Sequence, residues 1–421
     1  MDRREREKCT QILKEELVPA MGCTEPIAIA LVAAKAKQAL GEQPKRAVLR
    51  VSGSIVKNAK SVVVPHTGGL HGLAAAFFAG LVAGNPDAEY QVLSAVSKQE
   101  IEKIREGVDK FPLTIERLDK GRVFDVEATL YGEMHTSHVR VCDTHMGLVL
   151  VKRDDEVLFE RPPQAEIKKT DRAFLSVEKI FEYAGSVEIE EIKATLDRQI
   201  AYNTAIAEEG LKRDYGANVG KVILRSYQPE VAVKAKAYAA AASDARMNGC
   251  ELPVIINSGS GNQGITASLP VIVYARELQL PMEKLYRALA VSNLVTVHLK
   301  SGIGTLSAYC GVVSAGAGAA CGIAYLLGGG MEEISHALVN ALAIDSGIVC
   351  DGAKASCAAK IAMAVESGIL GLNMHYNGCE FYAGDGIVKD GVEPTIRSVS
   401  RLAQDGMRET NAEILRIMME E

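Results

Sequence analysis

From Ser301 to Met331 the chain reads "SGIGTLSAYCGVVSAGAGAACGIAYLLGGGM", without one charged residue. A stretch of this length would cross a bilayer if it lay in lipid. Its apolarity comes mostly from Ala and Gly, however, with few large aliphatics and no aromatic belt. It reads instead as buried helix, broken by glycines, in the middle of a helical domain. A central helix of small residues needs other helices packed closely around it.

Residues 1–40 read as two helices. "RAVLRVSGSIVKNAKSVVVP" predicts a strand, a Gly/Ser turn and a second extended run. "TGGLHGLAAAFFAGLVAG" predicts a helix, "DAEYQVLSAV" a strand and "SKQEIEKIREGVDK" a polar helix. Then "LTIERL", "VFDVEATLYG", "SHVRVCD", "GLVLVKR" and "EVLFER" alternate or run apolar between turns, as in an antiparallel meander. Pro162-Pro163 marks a boundary. Beyond it "DRAFLSVEKIFEYAGSV" puts Phe174, Leu175, Val177, Ile180 and Phe181 on one helical face. The fold class is therefore α+β. An N-terminal α/β portion with a small mixed or antiparallel sheet (1–163) precedes a large all-α domain (164–421). Glycine-rich breaks at 258–264, 302–304, 328–330, 347–352 and 384–391 are where a site would sit.

The N-terminus, "MDRREREKCTQILKEEL", is a charged amphipathic helix without a signal-peptide core, so the expectation is a cytoplasmic protein. A net charge of −6 with both signs interspersed gives neither a nucleic-acid footprint nor a polybasic membrane patch. In a reducing compartment the nine cysteines do not form a disulfide framework. Metal binding or catalysis is the better question for them.

"MGCTEP" at 21–26 leads into an Ala-rich helix. Thr24 suits the N-cap, Pro26 the first turn, and Glu25 the positive end of the dipole. That leaves Cys23 at the helix mouth, where a thiolate is favoured. On these residues alone it is either a reactive base or a small apolar filler. Cys350 and Cys357, in "GIVCDGAKASC", would lie about 10 Å apart on one continuous helix, too far for a compact cluster. Gly352 offers a break, and Cys310 of "AYCGVV" would then complete three thiolates. Three Cys ligands on a [4Fe–4S] cluster leave one iron open as a Lewis acid. No CxxC pair is present, so spacing by itself favours cysteines buried as small hydrophobes.

In "NSGSGNQGI" (257–265), three glycines and the donors of Ser258, Ser260, Asn262 and Gln263 suit a carboxylate or phosphate. A plain Gly-rich connector explains the segment equally well. Pyridoxal-phosphate dehydratases carry a similar Ser-Gly-Asn loop downstream of a Schiff-base lysine, and Lys234 and Lys236 lie upstream here. The surroundings lack the βα units of that fold, and both lysines read as the wet face of a helix. His135, His138 and His145 near Cys142 invite zinc, but a strand sends His135 and His138 to opposite faces. His66 reads as a loop cap, and Cys321 and Cys379 as structural.

Taken together, "MGCTEP", "SGSIVKN" (52–58), "SGSGNQGI" (258–265), the lone cysteine of "SAYCG" and "CDGAKASC" (350–357) resemble the iron–sulfur L-cysteine desulfidases. These are related to the α chain of bacterial iron–sulfur L-serine dehydratases. The resemblance implies a [4Fe–4S] cluster on Cys310, Cys350 and Cys357, with Cys23 as catalytic base and a homodimeric assembly. Ser258, Asn262 and Gln263 would hold the carboxylate of a small amino-acid substrate, and Asn58 could do likewise. The implied reaction is β-elimination of L-cysteine to hydrogen sulfide, pyruvate and ammonia. The serine dehydratase branch spaces its last cluster cysteines differently, and some members end in a cysteine that enters the site. This chain ends "RIMMEE", which tilts the expectation towards cysteine over serine. The alternative of another class is a non-catalytic redox or amino-acid sensor, or a membrane-associated helical protein.

Overall fold

The computed structural model describes residues 1–21, 24–88, 91–118, 121–144, 146–163, 169–304 and 307–420. Helix α1 (Arg3–Glu16) leads through a short strand, β1 (Pro19–Met21), to the Ala-rich α2 (Thr24–Leu40). Strand β2 (Arg46–Ser52) runs into α3 (Gly53–Ala59), followed by α4 (Leu73–Ala83), α5 (Lys98–Lys110) and β3 (Leu113–Leu118). Strands β4 (Asp125–Tyr131), β5 (Thr136–Cys142), β6 (Leu148–Arg153) and β7 (Glu156–Glu160) complete a sheet of order β3-β2-β4-β5-β6-β7. The α3–α5 crossover makes β2 and β3 parallel, and the other pairs are antiparallel. The sheet is thus mixed, in an α+β chain.

Helix α2 packs across β4, β5 and β6. The buried carboxylates of Asp125 and Glu127 on β4 are met by Arg140 on β5, which grips Asp125 at 2.8 and 2.6 Å and Glu127 at 3.2 Å. The far edge, β7, is exposed along its whole length and begins and ends in glutamate, which discourages pairing with another strand.

Three local expectations are corrected. "GSIVKNA" forms α3 where a turn and a second extended run were predicted. Its β-branched residues are outweighed by packing: Ile55 and Val56 are buried in the sheet's core, and Gly53 lies under Leu415. Residues 91–95 form turns where a strand was predicted. Helix α6 (Val177–Ser186) begins after Phe174 and Leu175, because the Ser176 hydroxyl caps the N–H of Lys179.

The remaining elements are α7 (Ile189–Lys212), α8 (Val219–Ser226), α9 (Val231–Met247), β8 (Pro253–Ile255), α10 (Gly261–Glu277) and α11 (Met282–Ile303). They continue with α12 (Gly311–Leu326), α13 (Met331–Asp345), α14 (Cys357–Tyr376), α15 (Val392–Arg401), a π-helical turn (Leu402–Gly406) and α16 (Arg408–Met419). Helix α12, from the uncharged stretch, sits among α10, α11, α13 and α14 and is buried but for Gly311 and Tyr325. Helix α14 is long and apolar enough to cross a membrane by length and composition, and most of it is buried inside the protein.

The two ends of the chain cross between the cores. Cys9, Ile12, Leu13 and Leu17 join the helical core, whereas Leu415 of α16 joins that of the sheet. Strand β1 also pairs with β8, antiparallel.

Glycines in α12 permit its close approach to neighbours. A Cβ on Gly318 would meet the Thr296 hydroxyl of α11 at 2.4 Å and the Ser292 carbonyl at 2.7 Å. Gly318→Val should therefore cost about 1–3 kcal/mol or more by overpacking, read as a lowered denaturation midpoint. An unchanged midpoint would contradict this packing.

Candidate active site

The segments that carry the first two cysteines pair across a short antiparallel bridge, Tyr309 opposite Val349. The Cys310 N–H donates to the Ile348 carbonyl at 3.0 Å and the Cys350 N–H to the Ala308 carbonyl at 2.5 Å. This brings the sulfurs together, with the Cys310 thiol donating to Cys350. The chain then turns at Gly352 (φ +97°) and enters α14, whose first residue is Cys357. The Cys357 thiol points back to the Gly352 carbonyl at 3.5 Å. Gly352 thus supplies the predicted break, with Cys310 and Cys350 in contact and Cys357 near enough for its charge to act on them.

Lysines surround them. The Lys57 ammonium on α3 is buried, donates to Asn411 Oδ1 at 2.5 Å and Ser307 O at 3.3 Å, and faces Cys350 and Cys310. Lys300, at the end of α11, faces the same pair and donates to the Gly304 carbonyl at 2.5 Å. Lys354 and Lys360 hold Asp351, and Lys360 also donates to the Val349 carbonyl at 2.9 Å.

These surroundings divide the cysteines. The hydrogen bond from Cys310 pulls Cys350 well below the usual thiol range against the effect of burial, helped by Lys57, the Gly352 N–H and Lys360. Donating that bond, together with burial, pushes Cys310 up, and burial raises Cys357. Burial also lowers the pKa of both Lys57 and Lys300, opposed by the sulfurs. Elsewhere burial dominates: Cys9 is pushed up to about 12, with Glu5 adding to the effect, and Cys321 is raised by its complete burial.

The glycine-rich segment meets this group from the other side. Asn257 and Ser260 close a tight turn with Ser258 (φ +50°) and Gly259 (φ +79°) at its tip, and α10 begins at Gly261. Gln263 is buried with its Oε1 lacking any hydrogen-bond partner, and its amide lies against Gly311, next to Cys310. Asn262 accepts from Arg246 at 3.3 Å and Ser243 at 3.4 Å and donates to the Met247 sulfur at 3.6 Å. Met247 in turn packs with Cys357. An orphaned buried carbonyl beside the paired Cys310 and Cys350, with Cys357 and several ammonium groups nearby, is a donor set that fits an iron–sulfur cluster with a polar ligand next to it.

The other candidates are placed differently. Ser258 spends its hydroxyl on Asn257 Oδ1 at 2.8 Å and shapes the turn. Asn58, next to Lys57, donates to Glu25 at 3.0 Å and so ties α3 to the start of α2. Cys23 lies outside the described residues. Lys234 and Lys236 pair with Glu277 and Glu366 at 2.6 and 2.5 Å. Lys236 is buried against Tyr227, not on a wet face. His135 pairs with Asp154 and His138 with Thr129, without converging, and His145 lies outside the described residues. His66 holds Glu251 at 3.3 Å.

Sequence reasoning missed Lys57, Lys300, Lys360, Arg246 and Met247. Lys57 stood inside "SGSIVKN", and a lysine in an otherwise small and apolar helix was the available signal. For Lys300, Arg246 and Met247 no local pattern existed.

With this geometry in view, comparison with known proteins places the chain. Residues 87–416 match the family model for the serine dehydratase alpha chain, and the protein belongs to that family. The family is one of iron–sulfur dehydratases, and the class of enzyme is a lyase. The chain is 55% identical to a UPF0597 protein of Desulfitobacterium hafniense over 97% of its own length and 95% of the relative's. It is 48% identical to a UPF0597 protein of Lachnoclostridium phytofermentans, covering 98% and 99% of the two chains. A UPF0597 protein of Treponema denticola is 44% identical over the whole of both.

The charge arrangement carries a pH prediction. In metal-free protein, iodoacetamide should alkylate Cys350 readily at pH 6, because its thiolate persists below the ordinary thiol pKa. Lys57→Met removes a cation and raises that pKa. It should slow alkylation about twofold at pH 6 for a rise of about one unit, and little at pH 9.5. Equal slowing at both pH values, measured by peptide mass spectrometry, would mean altered access instead.

Proposed function

We propose that the protein is a [4Fe–4S]-dependent lyase that eliminates hydrogen sulfide from L-cysteine. The observation that carries this is the pairing of Cys310 with Cys350, with Cys357 on the same loop-and-helix turn, beside the unpartnered carbonyl of Gln263. Held by these three thiolates, the cluster would supply a Lewis-acidic iron with an open position for the substrate. The protein's own groups do the rest. Lys57 and Lys300 balance thiolate charge in a buried setting. The Gln263 amide binds the substrate's polar end, and Asn262, oriented by Arg246, lies within the same wall. Cys23 takes the Cα proton as the C–S bond breaks and HS⁻ departs. The resulting aminoacrylate tautomerises and hydrolyses to pyruvate and ammonia.

L-Serine is the second reading, favoured by the description of the matching family. The "CDGAKASC" spacing, which resembles that of the desulfidases, supports cysteine. A homodimer and a cytoplasmic location belong to the same proposal.

Anaerobic purification tests it. The protein should be brown, hold about four irons per chain and release sulfide and pyruvate from L-cysteine with a higher kcat/KM than for L-serine. A colourless preparation inert towards both amino acids would sink the lyase reading, and a preference for serine would select the alternative. Replacing Cys310, Cys350 or Cys357 with Ala should abolish the cluster, whereas Cys23→Ala should keep it and lose turnover. If Cys23→Ala also bleaches the protein, Cys23 is a ligand and the division of roles is wrong. Gln263→Leu should retain iron and raise KM about tenfold, one lost hydrogen bond in a buried site.

A further inference from the structure

A second set of metal-type donors lies along α14 from the cysteines. His336 stands on α13, His375 in the last turn of α14 and Glu380 just beyond it. Among the described residues, these three offer one ligand atom each within 4.8 Å of one another. His375 is about five helical turns, or about 27 Å, from Cys357 at the other end of α14. The group therefore has no part in the site described above.

The two imidazoles lie parallel, 5° apart in plane, with centroids separated by 4.9 Å. Each turns its Nδ1 to a different oxygen of Glu380, at 2.9 Å for His336 and 2.5 Å for His375. His375 and Glu380 are largely screened from solvent, and His336 is a third exposed. Two nitrogens and one carboxylate in this arrangement match the N/O donor chemistry of zinc-class ions.

The three donors are also held in place by one further side chain. Asn340, fully buried one turn beyond His336, accepts the N–H of Phe381 at 3.1 Å and donates to the Gly371 carbonyl at 2.9 Å. Phe381 follows Glu380, and Gly371 lies one turn before His375. A single amide thus connects the three backbone segments that carry the donors, without touching the donor side chains themselves. The turn itself is closed by Gly378 N–H to His375 O and Cys379 N–H to Met374 O, both 2.9 Å. Gly378 takes φ +68° there and sends Glu380 back over the helix end. Glu333, one turn before His336, spends its carboxylate on the Gly330 N–H at 2.7 Å and stays outside the set.

We propose that His336, His375 and Glu380 bind a divalent first-row transition ion of the Zn²⁺ class, clamping the end of α14 to α13. Water completes the fourth position. Binding draws the Nδ1 atoms to about 2.0–2.1 Å from the ion and tilts the rings out of parallel. It also displaces the imidazole Nδ1 protons now shared with Glu380.

The test uses Zn²⁺ alone on the full-length chain, with Cys350→Ala as background so that thiolate binding at the cysteines is weakened. That protein should take up one Zn²⁺, and its Tm should rise by about 2 °C or more at saturation. His336→Ala or Glu380→Gln on the same background should lose both effects. Co²⁺ substitution gives an independent readout in the protein with all three donors intact: visible bands of an N/O set without thiolate charge transfer. Absence of Zn²⁺ uptake, uptake unchanged in Glu380→Gln, or a thiolate-type Co²⁺ spectrum would overturn the site. The trio would then be a hydrogen-bonded clamp only.

Discussion

Gly352 lies directly on the end of α3, and the site depends on that contact. A Cβ there would fall 2.4 Å from the Lys57 carbonyl, which instead accepts the N–H of Ala353 at 2.9 Å. No side chain larger than hydrogen fits between the loop and the helix. The contact fastens residues 350–356 of the helical core to a helix packed in the sheet's core. It also keeps the Lys57 ammonium within electrostatic reach of Cys350 and Cys310. From the far side, α16 closes the arrangement. Leu415 covers Gly53, the Met418 methyl lies 3.1 Å from where a Gly352 Cβ would be, and Lys60 donates to the Met418 carbonyl.

The electrostatics follow from this geometry. Three sulfurs gathered in a buried place would repel one another as thiolates, and isolated burial would keep them protonated. Cys9 and Cys321 show that outcome, with thiols pushed up by desolvation. Around Cys350 the opposite holds, because the Cys310 thiol, two lysines and the Gly352 N–H all favour negative charge. The lysines are costly to bury on their own. Each group therefore makes the other tolerable, which is the charge balance an anionic metal cluster on three thiolates requires.

Much of the architecture was legible in the sequence. The burial of the helix at Gly311–Leu326, the antiparallel run β4 to β7 and the break at Gly352 follow from composition, alternation and backbone freedom, all of them local, whereas β3, expected in the same meander, pairs parallel with β2. The errors were local too. "GSIVKNA" carries β-branched residues and reads as extended, yet burial against the sheet and α16 makes it helix. "DAEYQVLSAV" has strand-like composition, but its described residues form turns. Of the candidate ligand-binding residues, Gln263 proved the informative one, since an unpartnered buried carbonyl is visible only once its neighbours are known. Ser258 shows the reverse, its hydroxyl taken up in shaping its own turn.

The chain by itself determined its class, an α+β protein with a buried Ala/Gly helix, and its described cysteines are free thiols. Those properties depend on residue type and on neighbours a few positions away. Only the tertiary structure decided which cysteines meet and what charges they meet. Cys310 and Cys350 are joined through the Tyr309–Val349 bridge, and Lys57 and Lys300 reach them from α3 and α11. The contacts of Lys57 span more than 250 residues, and spacing along the chain carries no distance information at that range. Folding supplies it, through close packing at glycines where side chains would not fit.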